Sequence, residues 1–215
     1  MGPHRDLPPA DYPGFDAAAA RPDDLDDIVA ILTAAFADDP VMAWVFPDPA
    51  TRPQRLSTLW RYLARGVYLP GGASTIIRDG DHCGGRAVAA ALWLPPDAEP
   101  ETTLFEREGE AFVADLNGEV ERLGALSAAM APHHPSDRAW YLLAAGVLPD
   151  RQGHGLGAAL LSATLAYLDE IGEAAYLEAT SPRSRVLYHR LGFGDHAEFS
   201  PDGGPPIWGM WRPRP

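Results

Sequence analysis

Apolar residues recur every three or four positions from Leu25 through Ile28, Leu32 and Ala35 to Phe36, which predicts a helix over 23–36 capped by Asp23. Leu56, Leu59, Trp60 and Leu63 line one side of a second helix over 51–67, and 103–126 is helical again with a break near Gly118. Between the first two helices, 38–53 reads as a proline-bounded loop. Phe15 to Ala20 reads as a first edge strand. Segments 74–78 and 86–94 read as strands around a turn at 80–85. The run AVAAALWLP is apolar without alternation, as in a strand covered on both faces. Trp140 to Val147 is a buried strand, followed by Pro149, a glycine-rich loop and a helix whose inner face is Leu156, Leu160, Ala163, Tyr167 and Ile171. A strand at 174–180 follows. Pro182 opens a helix that stops at Gly192, and 197–200 with 206–211 form a hairpin across Gly203-Gly204. Helices, a hairpin, then strand–helix–strand–helix–strands make an α/β (α+β) chain with one mixed sheet and helices on both faces, not a repeating doubly wound unit.

Composition narrows the class. The 215 residues carry 46% hydrophobic positions, enough for one substantial core. Residues 1–13, rich in proline, are expected as a loose tail and 14–215 as a single domain. The net charge of −13 disfavours nucleic acid or an anionic membrane as partner and suits a cationic small ligand. Cys83 is the one cysteine, so no disulfide framework exists; its Asp-His-Cys-Gly-Gly setting reads as a turn rather than a catalytic thiol. With no signal peptide or apolar span of membrane length, the expected location is cytoplasmic. The acidic run Asp23, Asp24, Asp26 and Asp27 is read as first-turn carboxylates on a helix dipole rather than a metal site. His133 and His134 have no partner at ligand spacing, so no metal is expected.

The chemistry gathers around the glycine loop, where Gly153, Gly155 and Gly157 alternate at a helix start. Unpaired N–H groups and the positive dipole end there make a candidate phosphate cradle. A P-loop is excluded, because no Gly-Lys-Ser/Thr ends the loop. A dinucleotide fingerprint fits Gly153, Gly155 and Ala158, with Glu173 or Glu178 as ribose acid. Against it, Leu148 to Gln152 separate strand from glycines. Glycines that merely let helix pack on strand are a further reading. The pattern Gln152-x-x-Gly155-x-Gly157 after a strand also fits a coenzyme A loop.

A second stretch, YLEATSPRSRVLYHRLGFG, carries Tyr188, Leu191, Gly192 and Phe193 after a strand and a polar turn. With the Gln152 to Gly157 loop it resembles the two signatures of the GCN5-related N-acetyltransferases. From Ala131 onward the chain resembles the puromycin N-acetyltransferases of that family, at Ala131-Pro132-His133, Ala139-Trp140, Leu177-Glu178 and Pro182-Arg183 among others. The resemblance implies a mostly antiparallel twisted sheet, acetyl-CoA as cosubstrate and a primary-amine acceptor in a monomer or homodimer. It implies a bulge at Gly146 where the central strands splay, pantetheine contacts from Ala145, Gly146 and Val147, and Val147 N–H as oxyanion donor. The pyrophosphate is expected on Gly153, His154, Gly155, Leu156, Gly157 and Ala158, with Arg151 and Gln152 beside it. Ser184 stands where relatives often place an Asn.

Thioester aminolysis needs a base for the amine, an oxyanion donor and an acid for the thiolate. Tyr188 is the candidate acid, with a packing aromatic whose hydroxyl meets water as the competing account. Glu178 is the candidate base, because a carboxylate in an apolar strand is costly unless used or paired. A structural ion pair to Arg183, Arg185 or Arg190 is the competing account. His133 reads equally as an acceptor-site residue or a surface-loop histidine, and Trp44, Phe46, Trp60, Tyr62 and Trp93 are mostly core, with one or two facing the acceptor. A noncatalytic coenzyme A-binding module is the contrasting reading; it needs neither Glu178 nor Tyr188.

Overall fold

The computed structural model describes residues 10–12, 15–79, 85–98, 102–116 and 118–215. The turn at 80–84, with Cys83, and the first nine residues of the expected tail lie outside the described residues. Eight strands form one sheet: β1 (Ala10–Tyr12), β2 (Phe15–Ala19), β3 (Thr75–Arg78), β4 (Ala87–Leu94), β5 (Trp140–Val147), β6 (Ala175–Ala179), β7 (Gly194–Phe199) and β8 (Ile207–Arg212), in the order β1-β2-β3-β4-β5-β6-β8-β7. Every neighbouring pair is antiparallel except β5 and β6. Ala10–Tyr12, within the segment expected as a loose tail, is thus an edge strand on β2.

The helices are α1 (Leu25–Ala35), α2 (Pro40–Val45), α3 (Arg52–Leu63), α4 (Thr102–Leu116), α5 (Val120–Met130), α6 (Leu156–Ile171) and α7 (Pro182–Arg190). Two expectations are corrected here. The segment 38–53 is not all loop, because Asp39 followed by Pro40 starts α2: the Asp39 carboxylate accepts the N–H groups of Val41 (2.9 Å) and Met42 (3.0 Å). The cap of the α1 region is also not Asp23. A 3₁₀ turn at Pro22–Asp24 precedes α1, and Asp24 accepts the Arg21 N–H and, with Asp27, holds Arg78.

The apolar run over β4 is buried on both faces, as its lack of alternation requires. One face of the sheet meets α1, whose Leu32 and Ala35 lie against Gly146 on β5. On the other, Tyr167 of α6 meets Trp140 of β5 edge-on at 5.9 Å. Both contacts use even-numbered residues of one strand. They reach opposite faces because the β4–β5 register slips: Leu92 pairs with Ala144 but Trp93 with Leu142. Leu143 is the extra residue of a β-bulge, which swaps the facing of everything beyond it. The bulge is therefore at Leu143, not Gly146. Gly146 is a glycine because a Cβ there would sit 2.9 Å from the Ala35 Cβ and 3.0 Å from Leu32 Cδ2.

Candidate active site

The parallel pair opens into a V. Cα partners run only Trp140–Ala175, Tyr141–Tyr176 and Leu142–Leu177, so beyond the bulge β5 is paired on the β4 side alone. Leu148 N–H donates to the Val88 carbonyl (2.9 Å). By antiparallel alternation Gly146 and Ala144 likewise bond to β4, and Ala145 and Val147 turn their backbone groups toward the gap. A cleft of about 970 Å³ fills this gap, lined by β5 from Leu142 to Val147, the glycine loop, the α1–α2 turn, Glu178 and α7.

At one end of the cleft lies the glycine loop. Gly153 and Gly155 have φ of +86° and +83°, values L residues rarely adopt, and Gly155 caps α6. Gln152 ties the loop down: its Nε2 donates to the Val147 carbonyl (3.1 Å) and its Oε1 accepts from Arg183 (3.2 Å). Arg151 is ion-paired with Asp79. Ala145, Gly146, Val147, Arg151, Gln152, Gly153, Gly155, Leu156, Gly157, Ala158 and Ser184 all line the cleft. His154 does not; it is exposed. The Ser184 hydroxyl is engaged in the capping box of α7, donating to the Ser181 carbonyl (2.9 Å) and facing the Ser181 N–H (3.3 Å).

At the other end stand Glu178 and Tyr188. Glu178 makes none of the ion pairs considered for it: Arg185 pairs with Asp195 and Arg183 with Gln152. Its Oε2 accepts from the Tyr141 hydroxyl at 2.7 Å, and Oε1 is buried with no hydrogen-bond partner. Burial pushes its carboxyl pKa up to about 7 against the pull of Tyr141 and Tyr176. Tyr188 is buried in the cleft wall, and burial with the nearby Asp39 charge keeps its phenol protonated. Asp39 and Tyr141 were not singled out in the sequence. The Asp-Pro helix start marked the first; an ordinary strand tyrosine gave no signal for the second. Asp39 accepts from Thr180 at 2.5 Å, joining the α1–α2 turn to the end of β6, and burial raises its own pKa. His133 is not in the cleft lining and stacks on Phe199 at 4.4 Å.

A glycine loop at a helix N-terminus, an open strand edge, a neutral phenol and a buried carboxylate with a raised pKa thus share one cleft. Residues 85–193 match the model of the acetyltransferase (GNAT) family. A mycothiol acetyltransferase of Pseudarthrobacter chlorophenolicus is 36% identical over 100 residues, a match covering 45% of this chain but only 30% of that protein. A Corynebacterium glutamicum structure described as histone acetyltransferase HPA2 and related acetyltransferase is 31% identical over 93% of this chain and 96% of its own, with a TM-score of 0.68. An arylalkylamine N-acetyltransferase of Aedes aegypti shares the fold at 16% identity, covering 93% and 98% of the two chains, with a TM-score of 0.60.

Proposed function

This chain belongs to the acetyltransferase (GNAT) family, and we propose that it moves an acetyl group from acetyl-CoA to the primary amine of a small molecule by direct attack on the thioester. The observation that carries this reading is the single cleft that holds the glycine cradle at one end and the bare Oε1 of Glu178 at the other. Acetyl-CoA, the family's cosubstrate, supplies the activated acetyl group. The residues present suit it: the α6 N–H groups and the positive-φ backbone of Gly153 and Gly155 for pyrophosphate, and the edge at Ala145 with the Val147 N–H for an amide-bearing arm, the Val147 carbonyl being held by Gln152.

The chain's own groups then divide the proton work. Glu178, in its carboxylate form above about pH 7, takes the proton of an incoming ammonium. Val147 N–H offers a donor for negative charge on the thioester oxygen. Tyr188, held protonated by burial, serves in this reading as the acid for the departing thiolate. Around the loop the cleft lining carries Arg183 and Arg151, the latter paired with Asp79, and Asp38, Asp39 and Glu178 supply acidic groups elsewhere in it. That polarity and the resemblance to the puromycin N-acetyltransferases favour a cationic acceptor of the aminonucleoside kind.

Mixing the protein with acetyl-CoA and a panel of amines, puromycin, agmatine and an arylalkylamine among them, and following free coenzyme A thiol tests the reading. Turnover with a primary amine is expected. Tight acetyl-CoA binding with no thiol release across the panel would instead support a noncatalytic coenzyme A module, and preference for NADH in calorimetry would overturn the cradle assignment as well.

A further inference from the structure

Glu178 does not stand alone on its strand. Tyr141 and Tyr176 are lateral partners in the parallel β5–β6 ladder, their rings 6.2 Å apart and inclined by 23°. Glu178 is two residues beyond Tyr176, on the same face of β6. The bulge at Leu143 decides whether Tyr141 can share that site, since it sets Tyr141 on the α1 face with Ala144 and Gly146. The Tyr141 hydroxyl then reaches Glu178 Oε2 at 2.7 Å.

Across the β6–β8 ladder, the residue opposite Glu178 is Gly209. A Cβ at Gly209 would lie 2.6 Å from the Tyr176 hydroxyl oxygen and 3.4 Å from its Cζ. The missing side chain is a recess in β8, and the tip of Tyr176 occupies it. From there the phenol faces Glu178 and also donates to the His133 carbonyl at 3.3 Å. One O–H thus stands between two acceptors, and an ionised carboxylate is the stronger of them.

We propose that Tyr141, and Tyr176 seated in the Gly209 recess, are positioning residues that hold Glu178 with Oε2 engaged and Oε1 directed as the basic atom. This rests on the reading of Glu178 as the base. Other groups facing the carboxylate are the buried phenol of Tyr68, from the π turn that follows α3, and, over the tyrosine rings, His134 and His196. Among the described residues no arginine stands with them, so phenol O–H groups provide the means of steadying the ionised form.

The test is the pH dependence of kcat/KM together with direct titration of the Glu178 carboxyl by isotope-edited infrared difference spectroscopy. Tyr141→Phe removes a hydrogen bond that favours the carboxylate. The acid limb and the carboxyl titration should both rise by about one pH unit, with a plateau about 10-fold lower. Tyr176→Phe should move both in the same direction by less. Gly209→Ala should reproduce the Tyr176→Phe shift by displacing the ring; if it does not fold, Tyr176→Phe carries the test. Acetyl-CoA affinity should stay within a few-fold in all of them, because none contacts the glycine loop. Loss of rate or of melting temperature with the limb and titration unmoved would mean that the tyrosines only pack, and the proposal would fail while the base reading stood. If Glu178→Gln itself keeps the acid limb and near-native kcat, the base reading fails and the proposal with it.

Discussion

Glu178→Gln separates two consequences of one buried carboxylate. As base it must be ionised, so kcat/KM should rise with pH through about 7, and the substitution should lower kcat by roughly 10²–10⁴-fold. Stability moves the other way. Glu178 holds its proton more tightly folded, near 7, than at its ordinary 4.5, so folding takes up a proton between those values and stability declines as pH rises from about 4.5 through 7. At about 1.4 kcal/mol per pH unit the penalty amounts to roughly 3 kcal/mol above pH 7. Gln keeps a partner for Tyr141 without a charge. Thermal unfolding at pH 8 should therefore show the variant more stable than the wild type, with the two converging near pH 5. A variant less stable at pH 8 would mean that the carboxylate has a stabilising cation after all. Tyr188→Phe should lower kcat while leaving acetyl-CoA affinity within a few-fold, read by calorimetry beside steady-state rates.

Among the elements, the glycines divide by what each position forbids. Gly155 caps α6 at positive φ, so Gly155→Ala should cost about 1–2 kcal/mol and weaken acetyl-CoA binding by turning the first N–H groups of α6 away. Gly157 has only ordinary contact ahead of it, Leu187 Cδ2 at 3.4 Å, and lies inside the helix. Gly157→Ala should therefore leave the affinity nearly unchanged and raise the unfolding midpoint slightly, since alanine loses less conformational freedom in a helix than glycine. Gly146→Ala meets Ala35 and Leu32 with no room to spare, and chemical denaturation should show a loss of about 1–3 kcal/mol as α1 is forced off β5. Because α1 leads into Asp39, the same variant should also lose activity beyond its loss of stability.

At the scale of the whole molecule, the charge of −13 surrounds a cleft that is itself polarised. Cationic amines with a bulky or aromatic group should be acetylated faster than carboxylate-bearing amines, and their kcat/KM should fall as salt rises. Anionic acceptors turning over best, or rates indifferent to salt, would remove the electrostatic argument for the acceptor.

Reading along the chain was enough for what local chemistry determines. The 3.6-residue periods placed α1, α3 and α6. Pro182 and Gly192 bounded α7, the uninterrupted apolar run identified β4 as doubly covered, and the spacing of Gln152, Gly155 and Gly157 marked a loop that lines the cleft. Glu178 stood out because an acid in an apolar strand needs a reason. Tertiary structure decided the rest, since it depends on partners distant in sequence. A bulge is a mismatch between two strands, so no property of Gly146 or Leu143 alone could place it. The recess at Gly209 exists only because β8 lies against β6, and Tyr141 reaches Glu178 only because β5 runs parallel to β6 for three residues before it parts from it. That parting turns one edge of β5 toward open space, because a strand bonded on one side alone keeps its remaining backbone groups, apart from the Val147 carbonyl held by Gln152, for whatever enters the cleft.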